Sequence, residues 1–130
     1  MAYFMRRINI CEERGSGIDK VIDAVEVYQL PAPKFIAEEE YLRVILYAYK
    51  SLREMDKEDK IRACYQHCCL KYVSSDFMTN QSLRQRFQID EKNSAIASRI
   101  IGDTMKATLV KDADTASKSK KYASYIPIWA

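Results

Sequence analysis

Apolar positions recur along this chain at two periods, and the changes between them mark out its elements. Phe4, Met5 and Ile8 stand at helical spacing before a polar turn over residues 11–17. Ile18, Val21, Ile22 and Val25 then fall at i, i+3, i+4 and i+7, which predicts a helix with one apolar stripe running to about Tyr28. Leu30-Pro31-Ala32-Pro33 ends it, because proline cannot continue a helix and disfavours helical geometry in the residue before it. Residues 34–37, an acidic turn at 38–40 and the alternating run 41–47, rich in β-branched and aromatic side chains, read as a hairpin.

A charged stretch at 50–60 holds only Leu52 and Met55 as apolar residues, and the expected domain boundary falls there. Asp56 is a suitable N-cap for a long helix on which Ile61, Cys64, Tyr65, Cys68 and Tyr72 share a face. Thr79 caps a short helix with Leu83 and Phe87 four residues apart. Ile89 and Asp90 supply a turn and the next cap, and a third helix from about Glu91 to Lys106 turns Ala97, Ile101 and Met105 inward. Leu109-Val110-Lys111, a basic loop over 112–121 and the apolar run 122–129 read as two strands joined by a loop.

Three helices followed by a two-stranded wing is the order of a winged helix-turn-helix. The expected fold class is therefore α+β: a winged helix-turn-helix over 56–130, preceded over 1–52 by a helix and hairpin that resemble the tail of a larger α/β domain. A helix and a hairpin are too little to close a core, so exposed apolar surface and a tendency to form homodimers are expected of that part. Two local departures stand out. Gly102 lies inside the third helix at a cost of about 1 kcal/mol relative to alanine. Thr108 occupies the place where a glycine commonly ends such a helix.

Composition narrows the partners. A hydrophobic share of 48% with 30% charged residues is that of a globular chain, and no apolar run reaches the roughly 18 residues of a membrane span. Residues 1–9 carry Arg6 and Arg7, unlike a signal peptide, and a cytoplasmic location with no membrane partner is expected. Cys11, Cys64, Cys68 and Cys69 have no secretory context and are expected as thiols. The net charge of +3 is unevenly spread: basic and acidic residues balance at twelve each over 1–75, whereas over 76–130 basic residues lead nine to six. A local basic surplus suits a phosphate backbone.

In the expected architecture the third helix faces the major groove of double-stranded DNA, and the helix before it and the wing hold phosphates. Lys92, Asn93, Ser94, Ile96 and Arg99 fall on or beside the outward side of that helix, and Asn and Arg pair bidentately with purine edges. Gln81, Arg84, Gln85 and Arg86 are placed for backbone on the second helix, and Lys118, Lys120 and Lys121 on the wing. The competing reading is an ordinary solvated surface, or a winged helix used for protein contacts.

The cluster Cys64, His67, Cys68 and Cys69 has no second ligand pair elsewhere, so no metal is expected, and the cysteines read as small buried hydrophobes. His67 points away from the shared face of Cys64 and Cys68 and has no evident serine or carboxylate partner in the pattern, so no catalytic residue is assigned. Trp129 reads as a plug for the last strand. Gly15-Ser16-Gly17, with Arg14 before it, is a weak phosphate-binding signal at a helix start, and there is no G-x-x-x-x-G-K-[ST] loop.

Phe4-Met5-Arg6-Arg7, then Ile10 through Lys20 and Leu30-Pro31-Ala32-Pro33-Lys34-Phe35, resemble the C-terminal region of bacterial RecG-related proteins labelled ATP-dependent DNA helicases or transcriptional regulators. The resemblance resumes at Asn80-Gln81-Ser82-Leu83-Arg84-Gln85-Arg86-Phe87, continues through Asp90-Glu91-Lys92-Asn93-Ser94 and Ala97-Ser98-Arg99-Ile100-Ile101, and ends at Lys121-Tyr122-Ala123-Ser124-Tyr125-Ile126-Pro127 and Trp129-Ala130. It implies a parent with a Schlafen AlbA-like domain, a histidine-kinase-like ATPase-related domain and a winged helix, of which residues 1–52 are the end of the second and 56–130 the third. It also implies that Arg14, Gly15, Ser16 and Gly17 lie near a nucleotide pocket. The upstream elements for magnesium and adenine are not among these residues, so ATP is expected of the parent and no cofactor of this chain. The rival readings are a fragment of an ATP-dependent DNA-processing enzyme and a dimerisation module.

Overall fold

The computed structural model describes residues 16–114 and 123–130. Helix α1 spans Ser16–Val27, strands β1 and β2 are Lys34–Ala37 and Leu42–Ile45, and helix α2 is Lys57–Val73. Strand β3, Met78–Thr79, leads directly into helix α3, Asn80–Phe87. A 3-10 turn at Glu91–Asn93 precedes helix α4, Ser94–Lys106, and strands β4, Val110–Asp112, and β5, Ser124–Pro127, close the order.

The hairpin pairs Lys34 with Ile45 and Ala37 with Leu42, and Glu38 N–H donates to Tyr41 O across its turn at 2.8 Å. The second sheet runs β3-β5-β4, antiparallel throughout, with Met78 opposite Tyr125 and Val110 opposite Pro127. β3 is too short to carry a periodic signal, and the sequence reading missed it.

The caps explain where the helices begin. Asp56 accepts from Asp59 N–H at 2.7 Å at the start of α2. Thr79 and Ser82 form a reciprocal capping box at the start of α3. Asp90, expected as the next cap, makes no side-chain cap hydrogen bond, and the α-helix proper starts only at Ser94 after the 3-10 turn.

The four α-helices among the described residues end by one device. After α1 through α4 the residues Gln29, Ser75, Gln88 and Thr108 take positive φ, from 52° to 62°. At each, the following N–H reaches a carbonyl five residues back: Leu30 to Val25, Asp76 to Lys71, Ile89 to Arg84 and Leu109 to Thr104. This is the Schellman pattern, which favours glycine at the left-handed position. None of the four is glycine, and Thr108, branched at Cβ, is the least suited, as its sequence position suggested.

The main core joins Ala63, Cys64 and Cys68 of α2 to Met78, Leu83, Ala97, Ile101 and Val110. Ala32 and Met55 belong to the same cluster, so residues on both sides of the expected boundary share apolar contacts. A second cluster sets Ile22 of α1 against Cys69, with Phe35, Leu70 and Trp129 around them. α2 is therefore buried on more than the single face its periodicity suggested. Trp129 Nε1 donates to Tyr65 Oη at 2.9 Å, and its ring meets Tyr72 edge-on, as expected of a plug.

The Pro-rich segment is held by side chains from the other helices. Proline has no N–H, so residues 30–33 offer mainly carbonyls, and three of these meet donors. Arg86 Nη2 donates to Leu30 O at 2.7 Å, Arg62 Nε to Ala32 O at 3.0 Å and Gln66 Nε2 to Pro33 O at 2.6 Å. Exposed apolar residues include Tyr41, Leu42, Val44 and Leu46 on and beside the hairpin and Val27 and Tyr28 at the end of α1. None of the helices among the described residues is long and apolar enough to cross a membrane.

Candidate nucleic-acid interface

α4 packs Ala97, Ile100, Ile101 and Thr104 inward and turns Ser94, Ile96, Ser98 and Arg99 to solvent. Lys92 and Asn93, just before it, are exposed as well. Five of the residues singled out for DNA on and beside the third helix are thus exposed: Lys92, Asn93, Ser94, Ile96 and Arg99. Lys92 has Asp90 at 3.8 Å, with both side chains largely solvated, so the pair leaves the ammonium available.

The start of α4 is fastened to α3 by a residue that the sequence reading passed over. Asn80 Nδ2 donates to Ser94 O at 3.0 Å and lies 2.9 Å from Ser98 Oγ, while Asn80 Oδ1 accepts from Arg84 Nε at 2.8 Å. Arg84 is therefore half-buried and its fork is partly engaged, whereas Gln81 and Gln85 are exposed. In the sequence Asn80 stands out only as the residue after the cap Thr79 and as the first of the stretch with the RecG-related resemblance.

Arg86 overturns its assignment. Placed beforehand among the backbone-contacting residues, it is 5% exposed, donates to Leu30 O and faces α1. The reason is its register: it lies three and four residues from Leu83 and Ser82, on the inner side of α3. Lys118, Lys120 and Lys121, expected on a wing, lie outside the described residues, as do Arg14 and Gly15. Ser16 and Gly17 form the first turn of α1; φ at Gly17 is not positive and a Cβ there would meet nothing within 4 Å, so this glycine answers no conformational demand.

The cysteine-histidine cluster separates as its spacing implied, but His67 is not without partners. Cys64 and Cys68 are fully buried, and burial pushes the Cys64 thiol up to about 12 and that of Cys68 up as well. Their thiols stay protonated and poorly nucleophilic. His67, 3% exposed, sits between Glu26 of α1, 2.8 Å from Nδ1, and Ser82 of α3, 3.0 Å from Nε2. Those partners are 41 and 15 residues away in sequence, which is why no local pattern shows them.

Glu26, His67 and Ser82 have the order of a carboxylate, a base and a hydroxyl. Ser82 Oγ, however, accepts from Thr79 N–H and has Thr79 O at 3.1 Å, both within the capping box. Its single hydrogen is shared between two acceptors and its oxygen is held by the backbone. The chain of contacts acts as a bracket from α1 through α2 to the first turn of α3, and not as an activated nucleophile.

A family model described as "Putative ATP-dependent DNA helicase recG C-terminal" matches residues 1–46. The first part of the chain, α1 and the hairpin included, is thus similar to a RecG-related family. No curated protein and no solved structure matches the chain.

Proposed function

We propose that residues 56–130 are a winged helix-turn-helix module that binds double-stranded DNA, with α4 as the recognition helix, in a regulator whose preceding residues derive from an ATPase-related domain. The observation that carries this reading is the exposure of Lys92, Asn93, Ser94 and Arg99 on and just before α4, a helix braced against α3. The element order from α2 to β5 and the β3-β5-β4 sheet agree with it. So does the basic surplus over 76–130. On this reading Arg99 and Asn93 meet base edges, Gln81 and Arg84 meet phosphates beside them, and Lys118, Lys120 and Lys121 hold backbone from the wing.

Fluorescence polarisation with random and genomic duplexes tests the proposal. Binding should fall steeply as salt rises, and Arg99→Ala should reduce discrimination between duplexes by about 1–3 kcal/mol per contacted base pair. Lys120→Ala should weaken all duplexes alike. Binding no tighter than to an acidic polymer, without salt dependence, overturns it.

The family description over residues 1–46 favours a second reading, a fragment of an ATP-dependent DNA-processing enzyme. Phosphate release by this chain, or nucleotide-induced protection of residues 15–18 from hydrogen exchange, would select that reading instead.

A further inference from the structure

A cleft of about 380 Å3 opens between α1 and the corner where α2 meets α3. That is near the lower end of the roughly 300–1,000 Å3 typical of small-molecule sites. Its inner wall holds Glu26, His67, Ser82 and Arg86, and its rim holds the exposed Asp23 and Asp76.

Arg86 is the anomaly. Its side chain is 2% exposed, yet Nε and Nη1 have no hydrogen-bond partner, and only Nη2 is satisfied, by Leu30 O. The obvious acceptor, Glu26, holds both carboxylate oxygens on His67 Nδ1 at 2.8 and 3.1 Å and stays 3.7 Å from Arg86 Nε. Burial lowers the pKa of Arg86, which Glu26 only partly offsets. A buried guanidinium with two unpartnered N–H groups calls for an acceptor, and a carboxylate accepting from one of them makes a charge-assisted hydrogen bond.

We propose that this cleft binds a small zwitterion of amino-acid size, its carboxylate on Arg86 and its ammonium toward Asp23 at the rim. A phosphate fits poorly, because Asp23, Glu26 and Asp76 already outnumber Arg86 and Lys71, and Lys71 lies 3.8 Å from Asp76. A plain cation leaves Arg86 unsatisfied. A zwitterion answers both ends of the cleft and adds no net charge. The site stands independently of whether α4 binds DNA.

Isothermal titration of the full chain with each standard amino acid, and with acetate, methylammonium and inorganic phosphate, tests it. At least one amino acid should bind saturably, about tenfold or more tighter than acetate or methylammonium. Arg86→Lys should abolish that binding. Asp23→Asn, at an exposed position whose loss does not threaten the fold, should weaken it about fivefold while leaving acetate unchanged. Absence of saturable binding by any amino acid, tighter binding of phosphate, or indifference to Asp23→Asn overturns the proposal.

Discussion

Two arginines, thirteen residues apart, show what position does to one side chain. Arg99 is exposed on α4, the helix that Lys92 and Asn93 precede. Arg86 is enclosed between α1 and α3, donating to Leu30 O and close to Glu26. The first contributes little to folding and is available to a partner. The second helps hold the Pro-rich segment and carries an electrostatic cost of burial that is only partly compensated. The open face of α4 and the buried wall of the cleft at α1 are thus opposite settings for polar groups, one hydrated and one enclosed by the fold.

The sharpest way to break this contrast is to truncate both arginines. Arg86→Ala should lower the unfolding free energy by about 3 kcal/mol in urea denaturation, because it leaves Leu30 O and Glu26 without their cationic partner. Arg99→Ala should change it by less than about 0.5 kcal/mol. Equal effects would mean that the two regions do not differ as described.

A smaller effect is expected where α4 ends. Thr108→Gly removes a β-branched residue from φ 58° and should stabilise the chain by about 1 kcal/mol, read as a rise in Tm. Gln88→Gly, at the end of α3, should gain less, since an unbranched side chain tolerates the left-handed region better.

Acid should loosen the contacts that Asp59 and Arg62 make beside the Pro-rich segment. Burial pushes the Asp59 carboxyl up, but the hydrogen bond and charge of Arg62, a hydrogen bond from the Asp56 backbone N–H and the charge of Lys50 together hold it below the ordinary value of 3.8. A lowered folded-state pKa means that its stabilisation is present above that value and is lost as pH falls below it toward the folded pKa. Because Arg62 also holds Ala32 O, protonation should loosen the 30–33 segment, visible as faster amide exchange at residues packed on it. Asp59→Asn should flatten that pH dependence.

The smallest change in stability is expected at the hairpin. Val44→Lys replaces a residue that is 44% exposed and should leave Tm nearly unchanged. It should nevertheless reduce any self-association seen by light scattering, since it breaks the apolar surface around Leu42 and Leu46. An unchanged molecular mass across concentrations in both proteins would show that this surface does not pair copies of the chain.

Much of the local structure was legible in the residues. Asp56 and Thr79 cap the helices their positions announced, Ala97 and Ile101 face inward at the expected period, and Lys34–Ala37 pairs with Leu42–Ile45 as the alternation implied. The outward side of α4 followed from the same period. The two-residue strand β3, the Asn80 brace and the reversal of Arg86 were not legible. Each depends on contacts between elements that periodicity treats one at a time.

Sequence by itself determined the short-range features: helix starts, the hairpin, the left-handed position at Thr108 and which face of α4 is polar. These rest on interactions spanning a few residues, whose energies are set by neighbours along the chain. Only the tertiary structure decided that Glu26, His67, Ser82 and Arg86 converge, because they meet across up to 60 residues of chain. Burial in that corner turns ordinary surface residue types into a fixed polar network, and no local pattern records how deeply a side chain is enclosed.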